Sequence, residues 1–497
     1  MEQVLEILKD ETLTYHQQVI RLAGQAESTL NVLNIDEETK ELLEANIICG
    51  MFEGNAPYRP RYIIPDYDVL MTNGCKFLDL KPPTDIWEAT NSLLILYKHV
   101  PSITTFPVFL GNLDELLNPF VKDEEEAYKA IKLFLTHIDR SLTDSFVHAN
   151  IGPYDTVAGR LILKAVDELQ CAMPNMTVRY DKDITSREFA KLCAGVALST
   201  AKPSFANHKM DVESFGTDRY ALASCYNGFV IGGGGHTLVR LVLSRLAETC
   251  ESVEDFMENK LPHVAKLQLD YIDERVRFLV EEAAFFKTNF LVKEGFINKD
   301  LFAGMFGLVG LAEAVNHLLK AENQEDRFGY SEEANELGMK IIVKLNEIVN
   351  EYKSKYTKWY NGSHVLHAQV GIDTDTGISP GCRIPVGEEP ELFKHIIQSA
   401  PYHKYFFNGI GDIFVFEDTY KNNLDAIVNV VDGAFDQGIR YTSVYTDSCD
   451  VVRVTGYLVK RSEVDQLESG NAVKNNATIF GMNAKNGAKA FDRRRRD

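Results

Sequence analysis

The chain has 497 residues, with 52 Lys and Arg against 72 Asp and Glu, for a formal net charge of −20. That balance excludes nucleic-acid binding through a basic face, because phosphate affinity needs clustered Lys and Arg. The only basic run, Arg493 to Arg496, reads as a solvated tail. A content of 45% hydrophobic and 25% charged residues belongs to a globular protein with an adequate core.

The eight cysteines (Cys49, Cys75, Cys171, Cys193, Cys225, Cys250, Cys382 and Cys449) contain no C-x-x-C pair. They fit neither a zinc ribbon nor a disulfide framework, so reduced thiols in a cytoplasmic protein with no bound metal are expected. The opening MEQVLEILKDETL carries acidic residues where a signal peptide would be basic, and no run approaches the ~18 apolar residues that span a bilayer. No membrane association is expected.

In chain order, Glu2 to Asn55 has helical spacing, with Val4, Leu5, Ile7 and Leu8 followed by Leu30, Val32, Leu42 and Leu43, and predicts a helical entry segment. Beyond Pro57, short apolar runs alternate with helical patterns. They are YIIPDYDVLM (62–71), a helix over Asp85 to Tyr97, ITTFPVFL (103–110), a helix over Glu124 to Leu135, TVRY (177–180), and helices over Ser186 to Leu198, Glu251 to Leu279 and Glu332 to Lys353. This alternation predicts an α/β body.

Two places break the pattern. In DRYALASCYNGFVIGGGGHTLVRLVL (218–243) a strand-like apolar run ends on Cys225, and four glycines, Gly232 to Gly235, follow. A buried structural thiol beside a flexible turn explains this, and so does a phosphate-cradling loop, although neither G-x-x-x-x-G-K-[ST] nor G-x-G-x-x-G is present. The second place is CDVVRVTGYLV (449–459), a strongly β-forming run interrupted by Gly456. A glycine within a strand marks a bulge or a close backbone approach.

RVTGY (453–457) resembles the R-V-x-G-Y signature of glycyl radical enzymes and lies near the C-terminus, as it does in that family. PNMTVRY (174–180), KPSFAN (202–207) and DRYALASC (218–225) resemble further family segments in family order, the last being the strand that presents the catalytic cysteine of pyruvate formate-lyase. GNLDELLNPF (111–120) extends the resemblance toward the N-terminus, and among subfamilies the chain is most similar to the YjjI-type proteins.

The resemblance implies a ten-stranded α/β barrel of two five-stranded half-sheets with outer helices and a cysteine finger loop inside. Residues 1–400 would form the barrel with its helical N-terminus and the Cys225 finger loop, and 401–497 the C-terminal glycyl radical domain. It implies a radical on Gly456, made by a separate S-adenosylmethionine and iron–sulfur activase, a thiyl at Cys225, a small-molecule substrate, oxygen sensitivity and a homodimer. The residue types suit such chemistry. An α-carbon radical flattens and delocalises into both adjacent peptide groups, which a Cβ would strain, and an S–H bond exchanges hydrogen with activated C–H bonds at small net cost.

Departures narrow the reaction. Asn227 stands where eliminating members of the family carry a glutamate base, and Ser224 where pyruvate formate-lyase has the first of two adjacent cysteines. GGGGHTLVRLVL (232–243) and GLVGLAEAVNHLL (307–319) resemble segments of anaerobic ribonucleotide reductase, but only Cys449 remains of that enzyme's four-cysteine tail. A small hydroxylated metabolite is therefore the expected substrate, with a nucleotide or deoxysugar, or an inactive barrel serving as a binding protein, as alternatives. Cys75 and Cys382 are candidate second thiols. Glu313 is a candidate base or a helix-terminal carboxylate, and His236, His364 and His367 are substrate-orienting groups or satisfied core histidines.

Overall fold

The computed structural model describes residues 2–51, 53–368, 375–446, 448–487 and 491, so the Arg493–Arg496 run lies outside the described residues. Its strands are β1 (Ile48–Cys49), β2 (Tyr62–Ile63), β3 (His148–Ile151), β4 (Asn175–Tyr180), β5 (Ser204–Asn207), β6 (Tyr220–Ala223), β7 (Asn227–Val230) and β8 (Gly234–Val242), followed by β9 (Phe302–Val309), β10 (Val365–Ala368), β11 (Asp412–Val415), β12 (Tyr441–Tyr445), β13 (Val451–Arg453) and β14 (Leu458–Lys460). Ten of them form two five-stranded mixed sheets. In the first, β8, β9 and β10 run parallel, while β1 and β2 both pair antiparallel with β8 and share one edge. The second has the order β11-β12-β5-β4-β3, and only its β12–β5 pair is antiparallel.

Every residue of β4, β8 and β9 is buried, so both faces lie inside the protein, and the polar members, such as Thr177, Arg179 and Arg240, take buried partners. Helices Glu124–Ser141, Val157–Leu169 and Arg187–Thr200 pack in series and share one apolar core with β3, β4 and β5. Helices Leu261–Arg277, Leu311–Ala321 and Glu332–Glu351 share a second core with β8 and β9. Their starts follow from capping. Asp123 accepts from Glu126 N at 2.8 Å and Ser186 from Phe189 N at 3.1 Å, each satisfying an amide that the first turn leaves open.

Most helical expectations agree with the structure to within a few residues, and the entry segment is helical over Glu2–Lys9, Tyr15–Ser28 and Glu37–Glu44. Four expectations need correction. YIIPDYDVLM is strand only over Tyr62–Ile63, and from Tyr67 it is a helix, Tyr67–Asn73, capped by Asp66, which accepts from Asp68 N at 3.2 Å. ITTFPVFL forms no strand. Pro107 removes a ladder donor, and the segment instead runs beside β3, with Leu110 N donating to His148 O at 2.8 Å. The run 449–459 is not one strand with a bulge but a hairpin, β13–β14, closed by Val454 N on Tyr457 O at 3.0 Å.

The Gly232–Gly235 run, in turn, is not a phosphate cradle. The N–H groups of Gly232 and Gly233 are spent on Ile64 O (2.8 Å) and Val230 O (3.1 Å). A Cβ on Gly233 would lie 2.4 Å from Leu301 O, and one on Gly234 2.1 Å from Tyr62 O. The glycines let neighbouring backbones approach the start of β8.

Candidate active site

Two hairpins outside the sheets meet tip to tip. The first is β6–β7, whose tip is Ser224–Cys225–Tyr226. Its β6 strand alternates in a period of two: Ala221 and Ala223 join the main core, while Tyr220 and Leu222 join a smaller cluster with Cys225, Tyr226, Val454, Tyr457 and Val459. That cluster is where the second hairpin, β13–β14, packs, and its tip carries Gly456.

The requirement for glycine at position 456 is spatial. Gly456 does not have positive φ, yet a Cβ built on it would lie 2.1 Å from Cys225 Cβ and 2.9 Å from Cys225 Sγ. One α-hydrogen of Gly456 occupies that direction, so a Gly456 Cα–H bond aims at the cysteine. Gly456 is buried and Cys225 is only 3% exposed, which keeps water out of the contact.

Both tips are held rigidly. Ser224 adopts a left-handed φ of 59°, a costly conformation for a side-chain-bearing residue. It is held by Ser224 N donating to Val108 O at 2.9 Å and by Ser224 O accepting from His148 Nδ1 at 3.0 Å. A carbonyl can only accept, so His148 carries its proton on Nδ1, and its Nε2 accepts from Thr177 Oγ1 at 2.8 Å. Burial pushes His148 down to about 3, keeping the ring neutral in this role. Asn150 clamps β6, accepting from Leu222 N and donating to Leu222 O, both at 2.8 Å.

On the other side, Asn175 Nδ2 donates to Gly456 O at 2.7 Å, and Arg453 reaches Gly456 O at 3.4 Å, Asn175 Oδ1 at 3.2 Å and Ala201 O at 2.7 Å. Removing Asn175 would leave the buried Gly456 carbonyl with only the longer Arg453 contact and would take one acceptor from the buried guanidinium. Asn175→Ala is therefore expected to cost about 2–4 kcal/mol of stability, read from denaturant midpoints.

Burial raises the Cys225 thiol to about 12, partly offset by a hydrogen bond from Ser224 and by the charges of Arg453, Arg383 and Arg61. The group is thus an S–H at neutral pH, poised for hydrogen-atom exchange and poorly suited to thiolate nucleophilicity. Its alkylation by iodoacetamide at pH 8 is expected to be about 1,000-fold slower than that of a free thiol of ordinary pKa, rising tenfold per pH unit, because only the thiolate reacts. Mass-spectrometric mapping should find half-buried Cys49 labelled long before Cys225.

The remaining predicted residues divide. Asn227, two positions past Cys225, donates to Ala223 O at 3.1 Å and leaves its buried Oδ1 without a partner. His367 lies beside the tip, with its ring centroid 6.1 Å from that of Tyr226. His364 pairs with Asp273 at 3.0 Å, and His236 packs against Phe286 and Phe302, so neither is drawn toward Cys225 by these contacts.

Glu313 is a helix-terminal carboxylate, accepting from Ser379 N at 3.1 Å and Ser379 Oγ at 2.6 Å. Cys75 bridges Leu80 and lies under the influence of Glu294, while burial keeps Cys382 a neutral thiol in the apolar cluster that also holds Tyr402. Neither thiol is placed beside Cys225 by these contacts. His148, Asn150, Asn175 and Arg383 were missed in the sequence. Asn175 had the one usable signal, its place in the P-N-x-T-V-R segment.

The paired mixed sheets with an internal finger hairpin define a known class. The chain resembles the anaerobic ribonucleotide reductase of Thermotoga maritima (TM-score 0.71, 13% identity, 94% of each chain) and the hydroxyproline dehydratase of Clostridioides difficile (TM-score 0.69, 12% identity, 97% of this chain and 88% of that one). It also resembles the B12-independent glycerol dehydratase of Clostridium butyricum (TM-score 0.64, 12% identity, 92% and 83%). This is the fold of the glycyl radical enzymes.

More particularly, residues 13–496 match the model described as "Glycyl radical enzyme YjjI-like". The chain is 48% identical over 503 residues to a Haemophilus influenzae protein described as uncharacterized (100% of this chain, 98% of that one). It is 40% identical over 493 residues to the Escherichia coli protein YjjI, likewise described as uncharacterized (99% and 95%). The chain belongs to the YjjI-like glycyl radical enzyme family. No helix among the described residues is long and apolar enough to cross a membrane.

Proposed function

We propose that Gly456 stores an α-carbon radical and that Cys225 is the thiol through which it acts on a small, hydroxylated metabolite under anaerobic conditions. The observation that carries this is the apposition of the two tips, with a Cβ on Gly456 falling 2.1 Å from Cys225 Cβ. The transfer balances in atoms and electrons. The Gly456 radical takes the hydrogen of the Cys225 S–H, leaving a Gly456 C–H and a thiyl, and the thiyl then takes a hydrogen atom from a substrate carbon. The radical is a modified residue of the protein itself, and the buried tips exclude water and stray hydrogen donors from it.

Because Gly456 is buried in this conformation, a separate S-adenosylmethionine and iron–sulfur activase would reach it only after the hairpin swings away from the finger, which makes 401–497 a radical-bearing segment with a functional reason to move. A hydroxylated substrate is supported by similarity to the hydroxyproline dehydratase, which binds trans-4-hydroxy-L-proline, and to the glycerol dehydratase, which binds glycerol. Elimination assisted by a base two positions past the cysteine is disfavoured, since Asn227 takes no proton at neutral pH. A nucleotide or deoxysugar reaction using a second thiol is disfavoured by the surroundings of Cys75 and Cys382. A cytoplasmic location is supported by the unpaired cysteine spacing, and a homodimer by family resemblance.

The testing experiment is untargeted metabolite consumption by anaerobically activated enzyme, repeated with Cys225→Ser. Consumption of a hydroxylated metabolite by the wild type alone is expected, and equal consumption by both would overturn the role of Cys225.

A further inference from the structure

Three arginines exert the strongest charges on Cys225, and two are committed. Arg61 is committed through its terminal nitrogen, which donates to Glu53 at 2.8 Å and to Met51 O at 3.1 Å and leaves only its Nε without a partner, and Arg453 is spent on Gly456 O, Ala201 O and Asn175. Arg383 differs. Its Nε is fixed on Gly411 O at 2.7 Å, its guanidinium carbon lies 5.6 Å from the ring centroid of Tyr226 at the fingertip, and its Nη1 is buried with no hydrogen-bond partner. The carboxylate that feels its charge, Asp412, is itself engaged by His395 at 2.9 Å, Ser399 at 3.0 Å and Ile413 N at 2.8 Å.

A buried guanidinium N–H without a partner is costly, and the group that best supplies one is an oxyanion, which accepts charge-assisted hydrogen bonds in the plane of the fork. Tyr226, held by its hydroxyl on Ala368 O at 3.2 Å, keeps that fork oriented at the tip.

We propose that Arg383 is the anion-recognising residue of the substrate site, so that the metabolite on which Cys225 acts carries a carboxylate or phosphate group. This rests on the assignment of Cys225 as the hydrogen-abstracting thiol, and it names the substrate class of that same site. Arg383 would fix one end of the substrate through its charge, while the unpartnered Oδ1 of Asn227 is available to accept from a substrate hydroxyl.

The test is calorimetric titration of the unactivated full-length protein with inorganic phosphate, D-glycerate and glycerol, for wild type, Arg383→Gln and Arg383→Lys. One of the two anions is expected to bind wild type, with glycerol at least about tenfold weaker; Arg383→Gln is expected to lose about tenfold to a hundredfold in anion affinity, and Arg383→Lys to recover part of it. The tighter anion distinguishes phosphate from carboxylate. Glycerol binding as tightly as either anion, neither anion binding, or Arg383→Gln binding like wild type would each overturn the proposal; thermal melts of both variants exclude misfolding as the cause of a loss. Activated Arg383→Gln should still give the Gly456 radical signal. A wild type that gives the radical signal but binds neither anion refutes the role of Arg383 alone, whereas anion binding without a radical signal in wild type refutes the radical assignment alone.

Discussion

Gly456→Ala is expected to abolish both radical formation and turnover. The added methyl has nowhere to go. It would begin 2.1 Å from Cys225 Cβ and 3.0 Å from Cys225 Cα, and both neighbours belong to a fingertip held by His148, Val108 and Asn150. The two hairpins must part, at a packing cost of about 1–3 kcal/mol. Alanine also carries a Cβ that would strain a flattened α-carbon. The structural and chemical consequences are separable by measurement: melting temperature reports the first, and electron paramagnetic resonance after activation the second. Exposure to air adds a further readout. An activated wild-type chain should be cut at Gly456, losing a C-terminal piece of about 41 residues (497 − 456), and the alanine variant should stay whole. A Gly456 kept only to permit close packing would leave both chains intact.

Cys225→Ser is expected to leave the fold and the stored radical in place while turnover falls at least about 1,000-fold, equivalent to about 4 kcal/mol on the barrier. The substitution is nearly isosteric, and the side chain sits in a buried cluster with Tyr226, Val454 and Tyr457. The O–H bond of serine is much stronger than an S–H bond, so a radical on Gly456 has no favourable route through it. Retained radical with lost turnover distinguishes this from the glycine variant, which loses both. A serine variant consuming substrate at the wild-type rate would remove Cys225 from the mechanism.

Much of this was legible in the sequence. Cys225 and Gly456 stood out because each broke a local pattern, and the alternation of apolar runs with helical periods gave the mixed α/β class. The hairpin at 449–459 was not legible, because V-V-R-V-T-G-Y-L-V has no Asn-Gly or Pro turn signal and reads as one strand; its bend is fixed by packing against a fingertip more than 200 residues away. The clamps were hidden for the same reason. Asn175 meets Gly456 across 281 residues and Asn150 meets Leu222 across 72; nothing local marks Asn150 as a clamp, and Asn175 is marked only by its place in the P-N-x-T-V-R segment. The glycine run misled in the opposite direction, since four glycines suit a ligand loop as well as a place where Leu301 and Tyr62 press close.

The most direct measurement is electron paramagnetic resonance of anaerobically activated wild type, Cys225→Ser and Gly456→Ala, using the same competent radical S-adenosylmethionine activase. A doublet from the remaining α-hydrogen of Gly456 is predicted in the first two and no signal in the third. A silent wild type, or a doublet that survives in Gly456→Ala, would contradict the assignment of the radical to Gly456.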